Sequence, residues 1–281
     1  LYAITLQQYY LIIASTDNAI ALDLNFHKNV RMTDILGYLL IGVGVGLLSS
    51  FLGFGGGTLM VPILPLIAGL PTKSAIATSL FVISLNSLRN TWSFHKKKLV
   101  DWEIIKKIIP FAIIFALLSS YATYLVQTQI LNWILVFIFL FLTLMTWLGP
   151  NNTPKIIREK NLRNFIISGT GVGTLSGLSG IGGGTFVIPL MISGQWVLPQ
   201  MVSPTGNAIN FFTATFGCLM LGMNSDLIQY QPGLWILAAS ILTSQWARQK
   251  QSAMSELTRR KLIVAFLITV IMKLLWQAVT Q

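Results

Sequence analysis

The sequence predicts an all-α polytopic membrane protein of two inverted-topology repeats of about five segments each, with short broken or re-entrant helices after Gly-Gly-Gly loops. Three observations carry that reading. The 281 residues are 54% hydrophobic and only 10% charged, whereas soluble domains carry roughly 25% charged residues. The stretch GFGGGTLMVP at residues 53–62 recurs as GIGGGTFVIP at residues 180–189, an offset of 127. The basic residues gather in a few short loops between apolar runs.

The same offset maps Gly42, Gly44, Gly46 and Ser50 onto Gly169, Gly171, Gly173 and Gly177, and Thr78 onto Thr205. A register kept across helix, loop and next helix marks an internal duplication. The net charge of +11 follows the positive-inside pattern, so no nucleic-acid partner is expected. Cys218 is the single cysteine. No Cys/His spacing suits a metal, and neither metal nor cofactor is expected.

Residues 1–33 read as an N-terminal extension. Gln7, Gln8, Asp17, Asp23, Asn25 and His27 interrupt every apolar run, no segment there spans a bilayer, and no basic region precedes LYAITL as a signal peptide requires. Met32, just before the first good span, is a candidate alternative start. Repeat 1 covers residues 34–150. Its first span, 34–53, carries Gly42, Gly46 and Ser50 four apart, a small-residue stripe that admits a close helix neighbour. Residues 58–70 are apolar but short and hold Pro62 and Pro65, which predicts a broken or re-entrant helix. Residues 72–92 carry Thr78, Ser79, Ser84, Asn86, Ser87 and Arg89 and are expected to face protein or a cavity. Spans 104–126 and 131–149 complete the half. Residues 151–163 form a basic cytoplasmic linker. Repeat 2, residues 164–281, repeats the order: 164–180, a short piece at 185–197 with Pro189, a polar helix at 200–222, then 232–248 and 261–278.

An odd segment count per half forces the two halves into opposite orientations. Placing the loops 89–107, 155–163 and 248–261 in the cytoplasm captures 15 of the 19 Lys and Arg, and connectors 126–130 and 223–231 then hold none. Both termini are therefore expected outside.

Inverted repeats with broken helices are a transporter architecture, whose site lies near the midplane and is lined by half-helix N-termini. Gly55, Gly56, Gly57 and Gly182, Gly183, Gly184 precede short helices. Bare backbone N–H groups at a helix N-terminus, which carries about half a positive charge, would cradle an anion without any cationic side chain. The glycines equally suit close packing, and both readings stand at this point. Thr58, Thr185, Thr78 and Ser79, with Thr205, Asn207, Asn210 and Thr213 in the second half, could complete an oxyanion shell; interhelical hydrogen bonding is the plainer role for each. Arg89 and His95 read as solvated or snorkelling groups. All eight acids lie in the extension, at helix ends or in loops. An embedded carboxylate, the usual proton or sodium relay, is not expected.

At these residues the chain resembles the TauE/SafE family of sulfite and organosulfonate exporters. GFGGGTLMVPIL followed by AIATSL (75–80) is similar to that family's G-x-G-G-G-x-x-x-x-P and A-x-x-T-S elements, and GIGGGTFVIPLM is similar to the repeated copy. The second half departs: MVSPTGN (201–207) keeps Thr205 but has Gly206 opposite Ser79, and adds Pro204. The resemblance implies a multi-pass inner-membrane carrier, not an enzyme, for small, often sulfur-containing anions. Two readings remain, an anion transporter and a non-transporting membrane scaffold or assembly factor. The sequence carries no signal of oligomeric state.

Overall fold

The computed structural model describes residues 32–52, 57–148, 162–223, 226–251 and 256–280. The extension 1–31, most of the first glycine loop and most of the linker fall outside these residues. Among the described residues there are ten helices and no strand: α1 (Met32–Leu52), α2 (Gly57–Ile67), α3 (Thr72–Lys96), α4 (Trp102–Leu125), α5 (Thr128–Leu148), α6 (Leu162–Ser179), α7 (Gly183–Gly194), α8 (Pro199–Gly222), α9 (Tyr230–Gln251) and α10 (Glu256–Thr280).

Local chemistry sets several boundaries. Asp101 caps α4 by accepting the Glu103 and Ile104 N–H groups, as a short carboxylate does at an N-cap. Pro199 opens α8, where its missing N–H and fixed φ cost nothing. α7 ends on Gln195 in the left-handed conformation, with its N–H returned to Met191 and Ile192. α3 runs to Lys96, one turn beyond the predicted end, because the Asn90–Lys96 stretch stays helical until the positive-φ Lys98 breaks it.

Glycine seams hold the flanking helices. A Cβ on Gly42 would fall 2.6 Å from the Ile236 carbonyl oxygen, and one on Gly46 2.7 Å from that of Ser240. In the other half, Gly169 stands 2.6 Å in this sense from Ile108 O and Gly177 2.6 Å from Ala116 O, with Gly173 against Ala112 O between them. Residue numbers rise together along both seams, so α1 runs parallel to α9 and α6 parallel to α4. Ser119 Oγ donates to Gly173 O at 3.3 Å and Thr123 Oγ1 to Gly177 O at 3.2 Å, which uses the closeness the glycines allow. Gly44 and Gly171, also one offset apart, have nothing within 4 Å of a built Cβ.

The polar helices α3 and α8 form the centre. Asn90 Nδ2 donates to Asn207 Oδ1 at 3.3 Å, Asn210 Nδ2 to Ser87 Oγ at 3.1 Å, and Gly217 lies against Leu80. One number falls as the other rises, so these two helices are antiparallel. Thr78, Ser79, Ser84 and Ser87 on α3 and Thr205, Asn210 and Thr213 on α8 are buried, as the expectation that the polar helices face protein requires. α5 packs on α10.

The offset exchanges α1–α5 with α6–α10, and the packing obeys that exchange. The pair α1 with α9 becomes α6 with α4, while α3 with α8 and α5 with α10 each map onto themselves. Helices α2 and α7, with 11 and 12 residues, are about 16–18 Å long, too short for a hydrocarbon core of about 30 Å. Among the described residues, Trp102–Leu125 and Thr128–Trp147 are long and apolar enough to cross a membrane by themselves.

Candidate functional site

The second glycine loop is fully described and shows why it needs glycine. Gly180 and Gly182 have φ of +69° and +85°, a region a side chain rarely adopts. A Cβ on Gly182 would strike Asn210 Oδ1, and one on Gly180 would lie 2.8 Å from Ile76 Cα. Gly183 and Gly184 are not in the loop but in the first turn of α7.

Their donors have partners. The Gly183 N–H bonds Thr213 Oγ1 at 2.9 Å and the Gly184 N–H bonds Asn210 Oδ1 at 3.0 Å. Side chains from α8 thus satisfy two of the orphan donors at a helix start. Ser179 Oγ accepts the Ile181 N–H at 3.3 Å, and Ser79 Oγ donates to Gly180 O at 2.8 Å. The loop is set in a shell of neutral hydroxyl and amide groups from α3, α6 and α8.

The start of α2 meets this loop. Gly57 packs against the Ile181 carbonyl and Ile83. Thr58 Oγ1 lies 3.4 Å from Thr185 Oγ1, with both residues buried. The first turns of the two short helices therefore abut, each bringing about half a positive charge. Depth follows from the central helices. Asn210 is the twelfth of 24 residues in α8, and Ile83, which faces Gly57, is the twelfth of 25 in α3. Both short helices begin halfway along the two central helices.

The predicted site residues divide accordingly. Gly57, Thr58, Gly182, Gly183, Gly184, Thr185 and Ser79 come together, while Gly55 and Gly56 lie outside the described residues. Thr78 and Thr205 turn elsewhere: Thr78 Oγ1 accepts the Gln229 N–H at 3.0 Å and Thr205 Oγ1 the Asp101 N–H at 3.1 Å. Asn207 is committed to Asn90 and, through Nδ2, to Ser203 O. Asn210 and Thr213 matter more than their sequence signal suggested. They sit at the α7 start because they lie 26 and 30 residues from the glycines they cap, a relation that only the fold supplies. No group of three metal-ligating side chains occurs among the described residues.

A family model for the sulfite exporter TauE/SafE matches residues 38–274, which include both glycine loops and all ten helices, whole or truncated. The chain belongs to the TauE/SafE family. Curated relatives agree. A probable membrane transporter protein of Methanocaldococcus jannaschii is 36% identical over 174 residues, 59% of this chain and 64% of the relative, so the matched stretch spans less than two thirds of that protein. One from Haemophilus influenzae, also described as a probable membrane transporter protein, is 27% identical over 83% of this chain and 92% of its own length. A second from the same organism is 23% identical over 85% and 97%. No solved structure is significantly similar to the chain. TauE/SafE membership makes this a helical membrane protein of a transporter family, and the two apolar spans and lipid-sized exposed side chains such as Phe137, Leu144 and Trp147 on α5 fit that setting.

Proposed function

We propose that this protein carries small anions across the cell (inner) membrane as an exporter, with sulfur oxyanions such as sulfite or organosulfonates as the substrate class. The observation that carries the proposal is the contact of Thr58 with Thr185. It brings the positive ends of α2 and α7 face to face, halfway along α3 and α8, with hydroxyl donors at the point of convergence. An anion held there is stabilised by two helix termini and two hydroxyls, and no Lys or Arg has to be desolvated. A pyramidal oxyanion offers several oxygens to donors arriving from opposite sides.

The opposed orientation of the halves belongs to the same proposal. The antiparallel α3–α8 pair and the parallel α1–α9 and α4–α6 pairs are what two inverted repeats produce, and the gathering of Lys and Arg in three loops supports external termini with those loops inside.

One observation favours the scaffold reading. Thr213 and Asn210 already occupy the Gly183 and Gly184 donors, as a purely structural helix cap would. Uptake of radiolabelled sulfite, sulfate and taurine into proteoliposomes separates the two. Saturable flux of one of them supports the carrier, and no flux of any anion above protein-free vesicles supports the scaffold.

A further inference from the structure

Thr78 and Thr205, one offset apart, make the same bond at two places. Thr205 Oγ1 accepts the N–H of Asp101, the residue immediately before α4, at 3.1 Å, and Thr78 Oγ1 accepts the N–H of Gln229, immediately before α9, at 3.0 Å. Each threonine is the seventh residue of its helix, and both are fully buried. Because α3 and α8 are antiparallel, the two bonds lie at opposite ends of the central pair. Leu80 is level with Gly217, so Thr78 is level with residue 219. The two bonds are then about 21 Å apart along the helix axis, at 1.5 Å per residue. The starts of α2 and α7, near Ile83 and Asn210, lie between them.

Each bond joins a central helix to the start of a flanking helix that is itself seamed by glycines to the opposite half: α8 to α4, and α3 to α9. A rocking motion of the flanking seams against the central pair has to break one of these bonds. We propose that Thr205–Asp101 and Thr78–Gln229 are paired gate latches, one toward each membrane face, and that the structure, with both shut, is an occluded state. The proposal rests on the transporter reading of the chain. It assigns Thr78 and Thr205 to gating rather than to the anion's shell, with donors that fall one residue out of the repeat register, each immediately before a helix.

The test reads the latches without a substrate. In wild type, Thr205→Val and Thr78→Val proteins, amide hydrogen exchange is followed for peptides containing Asp101 and Gln229. Removing the Thr205 acceptor speeds exchange at Asp101. If the latches alternate, it also populates the state open on that face and slows exchange at Gln229 at least threefold; Thr78→Val does the converse. Independent exchange at the two sites, or faster exchange at both, overturns the proposal. A second arm uses Asp101→Cys/Thr205→Cys and Thr78→Cys/Gln229→Cys pairs in a Cys218→Ser background. Each disulfide is expected to stop sulfite flux and reduction to restore it, and wild-type flux through either cross-linked protein overturns the gating role. Alternating exchange in a protein that moves no sulfite would leave the latches standing and remove the sulfite assignment.

Discussion

The hydroxyls of Thr58 and Thr185 lie 3.4 Å apart, and the two residues are separated by 127 positions, the repeat offset itself. Residues related by a two-fold rotation can touch only beside the rotation axis. If the halves are inverted repeats as proposed, their rotation axis passes at this contact, between the first turns of α2 and α7. The pairs α3 with α8 and α5 with α10 straddle the same relation. At the Thr58–Thr185 contact the equivalent residues are helix starts bearing hydroxyls.

The glycine seams predict a sharp contrast between neighbouring positions. Gly173→Val would drive side-chain atoms into the Ala112 main chain, whereas Gly171→Ala meets nothing within 4 Å. Main chain cannot rotate aside, so Gly173→Val should cost several kcal/mol, at the upper end for overpacking. Gly171→Ala should be neutral or gain up to about 1 kcal/mol of helix stability. Thermal unfolding in detergent checks this; equal melting temperatures for the two variants would show that the seam is looser than described.

The all-helical class was legible in the sequence, because apolar runs and the polar or proline-bearing breaks between them set where helices start and stop. The Gly42/Gly46 and Gly169/Gly173/Gly177 stripes pack as their spacing implied. The site was less legible. Thr78 stands next to Ser79, and nothing in AIATSL says that one turns to Gln229 and the other to the Gly180 carbonyl. Asn210 and Thr213 read only as polar residues on a helix. Their work at the α7 start depends on how α8 folds back on α7, and no local pattern encodes that.

Asn210 should contribute to stability through two partners at once. Asn210→Leu leaves the Gly184 N–H and the Ser87 hydroxyl buried without partners, at about 1–3 kcal/mol for each such group. Asn210→Asp keeps an acceptor for Gly184 at the positive end of α7. The expected order of melting temperature is wild type, then Asn210→Asp, with Asn210→Leu lowest. Asn210→Leu melting with wild type would deny the cap its role.

Opposed halves predict sidedness. Cysteines placed at Gln129, in the first turn of α5, and at Asp226, in the connector before α9, both exposed, should react with an impermeant maleimide from the outer face. Cysteines at Lys98 and Arg163, also exposed, should react only from the inner face. Gln129 and Asp226 labelling from opposite faces would break the inverted-repeat account.

Asp101 should act through its cap and not as a charge relay. Asp101→Asn keeps a capping side chain and is expected to leave flux and its pH dependence as in wild type, while Asp101→Ala loses about 1 kcal/mol of stability. Flux lost in a well-folded Asp101→Asn protein would reveal a proton relay at this carboxylate.

An anion held where α2 and α7 meet is the central claim, and the Thr58→Val/Thr185→Val protein tests it most directly. Valine keeps the side-chain shape and removes both hydroxyls, whose bonds to a charged group are worth about 1.5–3 kcal/mol each. Sulfite binding by the purified, monodisperse double variant is measured by calorimetry beside the wild type. Saturable wild-type binding is expected, weakening at least about tenfold in the variant, at about 1.4 kcal/mol per decade. Wild-type affinity in the double variant would contradict the claim and place any anion site elsewhere.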